Sequence, residues 1–171
     1  KIIVNGPIGD HGVAVIAARE ALNISSGITS DCASLNKLIS RILHNISGVR
    51  FMRDLTRGGL ATILCEISED KDYGIAVDES SLPVRDEVRG VCEMLGMEPV
   101  YMANEGKFIT IVDSRHADAL VNLMRSERLG QDASVIGEVV DSNPGKVVMQ
   151  TEIGGKRILD MLTGEQLPRI C

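Results

Sequence analysis

The chain predicts an α+β fold, a mixed β-sheet covered by helices in a three-layer α/β/α arrangement. Three observations predict it. Short apolar strands alternate along the sequence with helices of amphipathic period, the pattern of a sheet with helical layers. Two late strand-like runs, 134–140 and 146–150, flank Ser142-Asn143-Pro144-Gly145, a turn by composition, and so predict one antiparallel hairpin. The hydrophobic content is 44%, with two Phe, two Tyr and no Trp, so the core between the layers is aliphatic.

Residues 1–5 form a short apolar strand, and an Ala-rich helix running to about Leu22 follows the loop 6–12. Residues 25–34 are polar and irregular, with Asp31 and Ser34 as candidate N-caps. In the next helix Leu35, Leu38, Ile39, Ile42, Leu43 and Ile46 recur at i, i+3, i+4, i+7, i+8 and i+11, which predicts one buried face. A brief strand at 49–52 runs into 54–59, and a helix then carries Leu60, Ile63, Leu64 and Ile67 inward. Residues 73–77 are a strand. Pro83 precedes a helix with Val84, Val88, Val91, Cys92 and Leu95 inward, stopped by Gly96. A strand at 107–112 leads to a helix marked by Ala117, Leu120, Val121 and Met124, and then to the two late strands. The expected organisation is one domain over 1–163 and a tail over 164–171, where nothing is periodic.

At 171 residues one domain can bury roughly 70% of its unfolded surface. A net charge of −6 disfavours a phosphate-backbone binder, and the few aromatics argue against base stacking, so no nucleic-acid partner is expected. No apolar run reaches the roughly 18 residues of a membrane span, and no signal peptide is visible. The four cysteines are widely spaced with no C-x-x-C pair, which points to reduced thiols and a cytoplasmic home. Cys65 and Cys92 fall on apolar helix faces as small core residues. The three histidines are scattered, and no metal site is expected. A strand entered directly at Lys1 suggests a fragment whose upstream part has been removed.

Three segments are candidates for chemistry. In Gly6-Pro7-Ile8-Gly9-Asp10-His11-Gly12, three glycines surround Asp10 and His11 between a strand and a helix, a geometry that can present backbone N–H groups to an anion. A tight turn is the simpler alternative. Asp54-Leu55-Thr56-Arg57-Gly58-Gly59 again links strand to helix and offers a carboxylate, a hydroxyl, a guanidinium and a Gly-Gly pair. Its competing reading is helix capping by Asp54 or Thr56. In Ala103-Asn104-Glu105-Gly106-Lys107, Glu105 suits a general base if held partly desolvated, against a solvated turn. Finally, Cys171 ends the chain. A thiol there serves as nucleophile, covalent acceptor, metal ligand or lipid anchor, or is an incidental surface cysteine. Prenylation needs three further residues, and none follow.

Together with the terminal Pro168-Arg169-Ile170-Cys171 and with Met52-Arg53 before the second loop, these segments resemble the HypE family of hydrogenase maturation proteins. That family belongs to the superfamily of aminoimidazole ribonucleotide synthetase, selenophosphate synthetase and thiamine-monophosphate kinase. The resemblance covers essentially all 171 residues but only the C-terminal half of a full HypE, and the terminal tetrapeptide is its most specific part.

The resemblance implies the C-terminal domain of the aminoimidazole ribonucleotide synthetase-like fold and an ATP-dependent carbamoyl dehydratase. In HypE-like proteins HypF places a carbamoyl group on the terminal cysteine, and ATP with Mg2+ drives its dehydration to a thiocyanate. The cyano group then passes to a HypC–HypD complex for the nickel–iron hydrogenase site. Cys171 would be the carrier, Glu105 the base or the group orienting the amide, and Asp54, Thr56, Gly58, Gly59, Asp10 and His11 contacts to nucleotide. ATP would be bound mainly by the other half, so this half is expected to be inactive alone, and the full-length protein a homodimer. An eight-residue tail reaches at most about 28 Å, enough to carry a thiol between sites. The alternatives are a related small-molecule kinase or synthetase domain and a non-catalytic interaction module.

Overall fold

The computed structural model describes residues 1–19 and 27–162. Seven strands form one mixed sheet: β1 (Ile2–Val4), β2 (Val49–Asp54), β3 (Gly74–Asp78), β4 (Phe108–Val112), β5 (Ser134–Val140), β6 (Val147–Gln150) and β7 (Lys156–Leu159). Their spatial order is β2-β4-β1-β5-β3-β6-β7, and only β3 and β6 pair in parallel. Five α-helices accompany it: α1 (Asp10–Arg19), α2 (Asn36–Asn45), α3 (Gly59–Ser68), α4 (Asp86–Leu95) and α5 (Ala117–Arg125).

Strand alternation divides the core. Ile2 and Val4 of β1 face Leu60, Ile63 and Leu64 of α3, whereas Ile3 faces Leu38 and Ile42 of α2 and Leu120 and Met124 of α5. The sheet thus lies between α3 on one side and α2 with α5 on the other, the layering that the sequence predicts. The second core draws on β1, β2, β4 and β5 but on no residue of β3, β6 or β7. A third cluster joins Val13 and Ile16 of α1 to Val88, Val91 and Cys92 of α4 around Met102. On β5 the register shifts, because Ile2 opposes Gly137 while Ile3 opposes Val135. The intervening Ile136 is an extra residue, and this bulge lets it turn into the α3 core fully buried.

The structure departs from the sequence-based expectations at four points. The late hairpin does not form: β3 lies between β5 and β6. The turn instead meets the start of β3, where Gly145 N–H donates to the Tyr73 carbonyl and the Ser142 and Asn143 carbonyls crowd Gly74. A seventh strand, β7, was not expected and forms the sheet edge beside β6. Leu43, expected inward, is 57% exposed, since α2 turns only Leu38 and Ile42 fully into the core. Neither Asp31 nor Ser34 caps α2: the N-cap is Leu35 with no side-chain hydrogen bond, because the Asp31 carboxylate is engaged elsewhere. The expected end of the first helix at Leu22 and the tail 164–171 lie outside the described residues. No helix among the described residues is long and apolar enough to cross a membrane.

Candidate functional site

The three chemistry-bearing loops meet at one end of the neighbouring strands β2, β4 and β1. β1 and β2 run antiparallel to β4 on either side of it, so Val4 opposes Ile109 and Asp54 opposes Phe108. The loops leaving β1 and β2 therefore flank the loop that enters β4.

Two buried asparagines knit them together. Asn5, 1% exposed, extends β1 by one residue. Its side-chain oxygen accepts the Phe108 N–H at 2.8 Å, and its Nδ2 donates to the carbonyls of Gly106 and Leu129 at 3.2 and 2.8 Å. Asn104 is fully buried: its Oδ1 accepts the Gly9 N–H at 2.8 Å, and its Nδ2 donates to the Leu55 and Met102 carbonyls, each at 3.0 Å. Every polar atom of the Asn104 amide group is thereby paired, as burial demands. Backbone bonds complete the junction, from Gly12 N–H to Ala103 and between Leu55 and both Asn104 and Lys107. The sequence places Asn5 at the end of an apolar strand and Asn104 in the third loop, and neither position by itself announces these partners. For Asn5, an Asn directly after the apolar run Ile2-Ile3-Val4 is the available signal; Asn104 has none.

The glycines serve close packing more than an anion cradle. The N–H groups of Gly9 and Gly12 are committed to Asn104 and Ala103. Gly59, at φ +61°, starts α3 so close to the carbonyls of Val100 and Met102 that a Cβ would lie 2.6 Å from each oxygen. Gly58 caps that helix in the left-handed region. Thr56 is half-buried, its carbonyl accepting the Gly59 N–H, while Arg57 is exposed. Asp54 is 61% exposed and 3.7 Å from Arg53.

Asp10 opens α1, 3% exposed. Burial pushes its carboxyl pKa up, against the opposing pull of Arg85 and Lys107. Arg85 Nε stands 3.4 Å from its Oδ2, and Oδ1 has no hydrogen-bond partner. The His11 ring has Nδ1 at 2.8 Å from Ser30 Oγ and a buried, unpartnered Nε2. Glu105 is exposed, with its backbone N–H donating to Asp31 Oδ1 at 3.0 Å. The partly desolvated carboxylate expected there is not created by this chain's own packing. No group of three or more metal-binding side chains occurs among the described residues.

The structure thus brings the loops that carry Asp10, His11 and Glu105 and Asp54, Thr56, Gly58 and Gly59 to the same end of strands β1, β4 and β2. Cys171 lies outside the described residues. What remains for an anionic ligand is the exposed Arg57 guanidinium and the Thr56 hydroxyl.

Residues 1–150 match the family model described as AIR synthase related protein, C-terminal domain. The carbamoyl dehydratase HypE of Rhodobacter capsulatus is 48% identical over 169 residues, covering 99% of this chain and 50% of that protein. A crystal structure of the hydrogenase maturation protein HypE in complex with ATP matches at a TM-score of 0.92 and 41% identity, over 99% of this chain and 52% of that one. A HypE–HypF complex matches at 0.88 and 40%, over 94% of this chain and 52% of that one. The chain spans about half the length of the curated relatives it matches.

Proposed function

The chain belongs to the AIR synthase related protein family as a C-terminal domain of the HypE kind, and from that premise we propose that it is the carrier half of an ATP-dependent carbamoyl dehydratase. The observation that carries the proposal is the likeness to HypE along almost the whole chain, combined with the tetrapeptide Pro168-Arg169-Ile170-Cys171.

Cys171 takes the carbamoyl group as a thiolate nucleophile and holds it as an S-carboxamide. ATP supplies the phosphoryl group that converts the carboxamide oxygen into a leaving group. Glu105, exposed beside the meeting point of the three loops, takes protons from the carboxamide nitrogen as the thiocyanate forms. Asp54, Thr56, Gly58, Gly59, Asp10 and His11 form the wall that faces the nucleotide, and Mg2+ and most of the ATP contacts belong to the other half of the protein. Residues 1–163 are the folded unit, and 164–171 are the arm that delivers the thiol. HypF is the carbamoyl donor and a HypC–HypD complex the cyano acceptor. The full-length protein is a cytoplasmic homodimer, and this half alone does not turn over.

Intact mass tests the reading. Full-length protein incubated with HypF, carbamoyl phosphate and ATP should gain about 43 Da at Cys171 and then lose about 18 Da on dehydration. The reading fails if Cys171→Ala still accepts the group. A kinase or synthetase acting on a free small molecule would keep its activity in that variant.

A further inference from the structure

The polar stretch 25–34 reads as a connection in the sequence, yet within its described part, 27–34, one side chain is nearly as buried as the core. The Asp31 carboxylate is 4% exposed and spends both oxygens on the third loop. Oδ1 accepts the Glu105 N–H at 3.0 Å, and Oδ2 lies 2.9 Å from Lys107 Nζ, whose side chain is only 11% exposed. Buried charges persist when paired and hydrogen-bonded, and this pair meets both conditions.

The surrounding contacts fix the strap to the loop. A Cβ on Gly106 would fall 2.0 Å from the Asp31 carbonyl oxygen, so the two backbones touch. The Gly106 carbonyl accepts from Asn5, and Asn104 is held on the other side. Ser30 Oγ accepts the Cys32 N–H at 3.2 Å and meets His11 Nδ1 at 2.8 Å, tying the strap to the start of α1 as well. Ala103, Asn104 and Gly106 are buried, and Glu105 is the exposed residue among them. The loop is immobilised on every side of the one carboxylate it presents.

We propose that Asp31 is a positioning residue for Glu105: by accepting the Glu105 N–H and pairing Lys107, it sets the backbone from which the Glu105 carboxylate reaches the reacting amide. The inference rests on the proton-accepting role of Glu105 proposed above. Asp31 touches no reacting atom. It acts by holding orientation, for which small displacements cost large factors in rate.

The test uses the full-length protein with its carbamoylated cysteine and ATP, measured in single-turnover dehydration. Glu105→Gln should lower the rate at saturating ATP about 100-fold or more. Asp31→Ala should lower it about 10-fold or more while the KM for ATP stays within about twofold. Asp31→Asn keeps an acceptor for the Glu105 N–H but loses the Lys107 pair, so it should recover part of that loss and no more. Asp31→Ala added to Glu105→Gln should cost nothing further, because the first residue acts through the second. Hydrogen exchange at the Glu105 amide should quicken in Asp31→Ala and return toward the parent value in Asp31→Asn. If Asp31→Ala does not fold, Asp31→Ala with Lys107→Met removes the buried pair whole and should give the same pattern. Multiplying losses, or full activity in Asp31→Ala, overturns the positioning role and leaves the Glu105 reading standing. Full activity in Glu105→Gln overturns that reading and this inference with it.

Discussion

Gly9 and Asn104 are joined across 95 residues by a fully buried hydrogen bond, the glycine N–H donating to the side-chain oxygen at 2.8 Å. That bond ties the first loop to the third, and the same side chain ties both to Leu55 in the second. Asn104→Asp turns two donors into a carboxylate facing the Leu55 and Met102 carbonyls. Each buried group left unpaired costs about 1–3 kcal/mol, so a loss of about 3 kcal/mol or more is expected. Urea unfolding reads it as a lowered midpoint at unchanged slope. A midpoint within error of the parent would show that the junction is not held by this amide.

Asp10 makes stability depend on pH in a definite direction. Burial raises its folded pKa above the unfolded value of about 3.9, so within that window the folded state binds more protons than the unfolded one. Stability contributed by this group is therefore fully present below the unfolded pKa and falls as pH rises through the folded pKa. Asp10→Asn carries no charge to bury, and it should gain on the parent as pH rises from 3.5 to 7. Denaturant titrations at several pH values measure the gap, and a gap that is constant with pH would contradict the account.

The described cysteines should differ sharply toward alkylating agents. Cys32 is exposed, whereas burial pushes the thiols of Cys65 and Cys92 up to about 11. At pH 8 a pKa near 11 leaves about one thiolate in a thousand, which slows reaction by about 100-fold against an ordinary thiol. Cys65 is further restrained by its contact with the Leu159 carbonyl at 3.2 Å. Timed iodoacetamide labelling with peptide mass spectrometry should find Cys32 modified well before either. Labelling of Cys92 at the rate of Cys32 would refute the burial argument.

The ion pair between Arg157 and Glu98 links β7 to the turn after α4 and looks strong, since both terminal guanidinium nitrogens engage the carboxylate. Its side chains are 38% and 43% exposed, however, and solvent screens such pairs. Arg157→Met should cost about 1 kcal/mol or less, and the difference should shrink in about 1 M salt. A loss of several kcal/mol that is unaffected by salt would mean that the pair behaves as a buried one.

Much of the fold was legible because periodicity reports burial. Leu38, Ile42, Leu60, Leu64, Val88, Leu120 and Met124 all face inward as their spacing requires. Periodicity carries no information about which strands pair, so the insertion of β3 between β5 and β6 was invisible, as was the short edge strand β7. Leu43 was misread because the apolar face of α2 is wider than the surface it covers. Around the site, the glycine motifs marked the loops correctly, but their chemistry was less legible. Asn5, Asp31 and Asn104 matter through partners about 75 to 100 residues away, and no local pattern announces such contacts.

The central place of β1 carries a consequence for how the molecule is made. Ile2 pairs with Ile111 on one side and Gly137 on the other, so both neighbours of the first strand are synthesised more than a hundred residues after it. At about 5–20 residues per second the apolar run Ile2-Ile3-Val4 waits roughly 5 to 25 s with no partner strand. Loop closure over such spans is slow, and unpaired apolar strands are prone to wrong association. The strand that anchors the three loops in the finished molecule is therefore a segment of the nascent chain that stays open to wrong association until β4 and β5 are made.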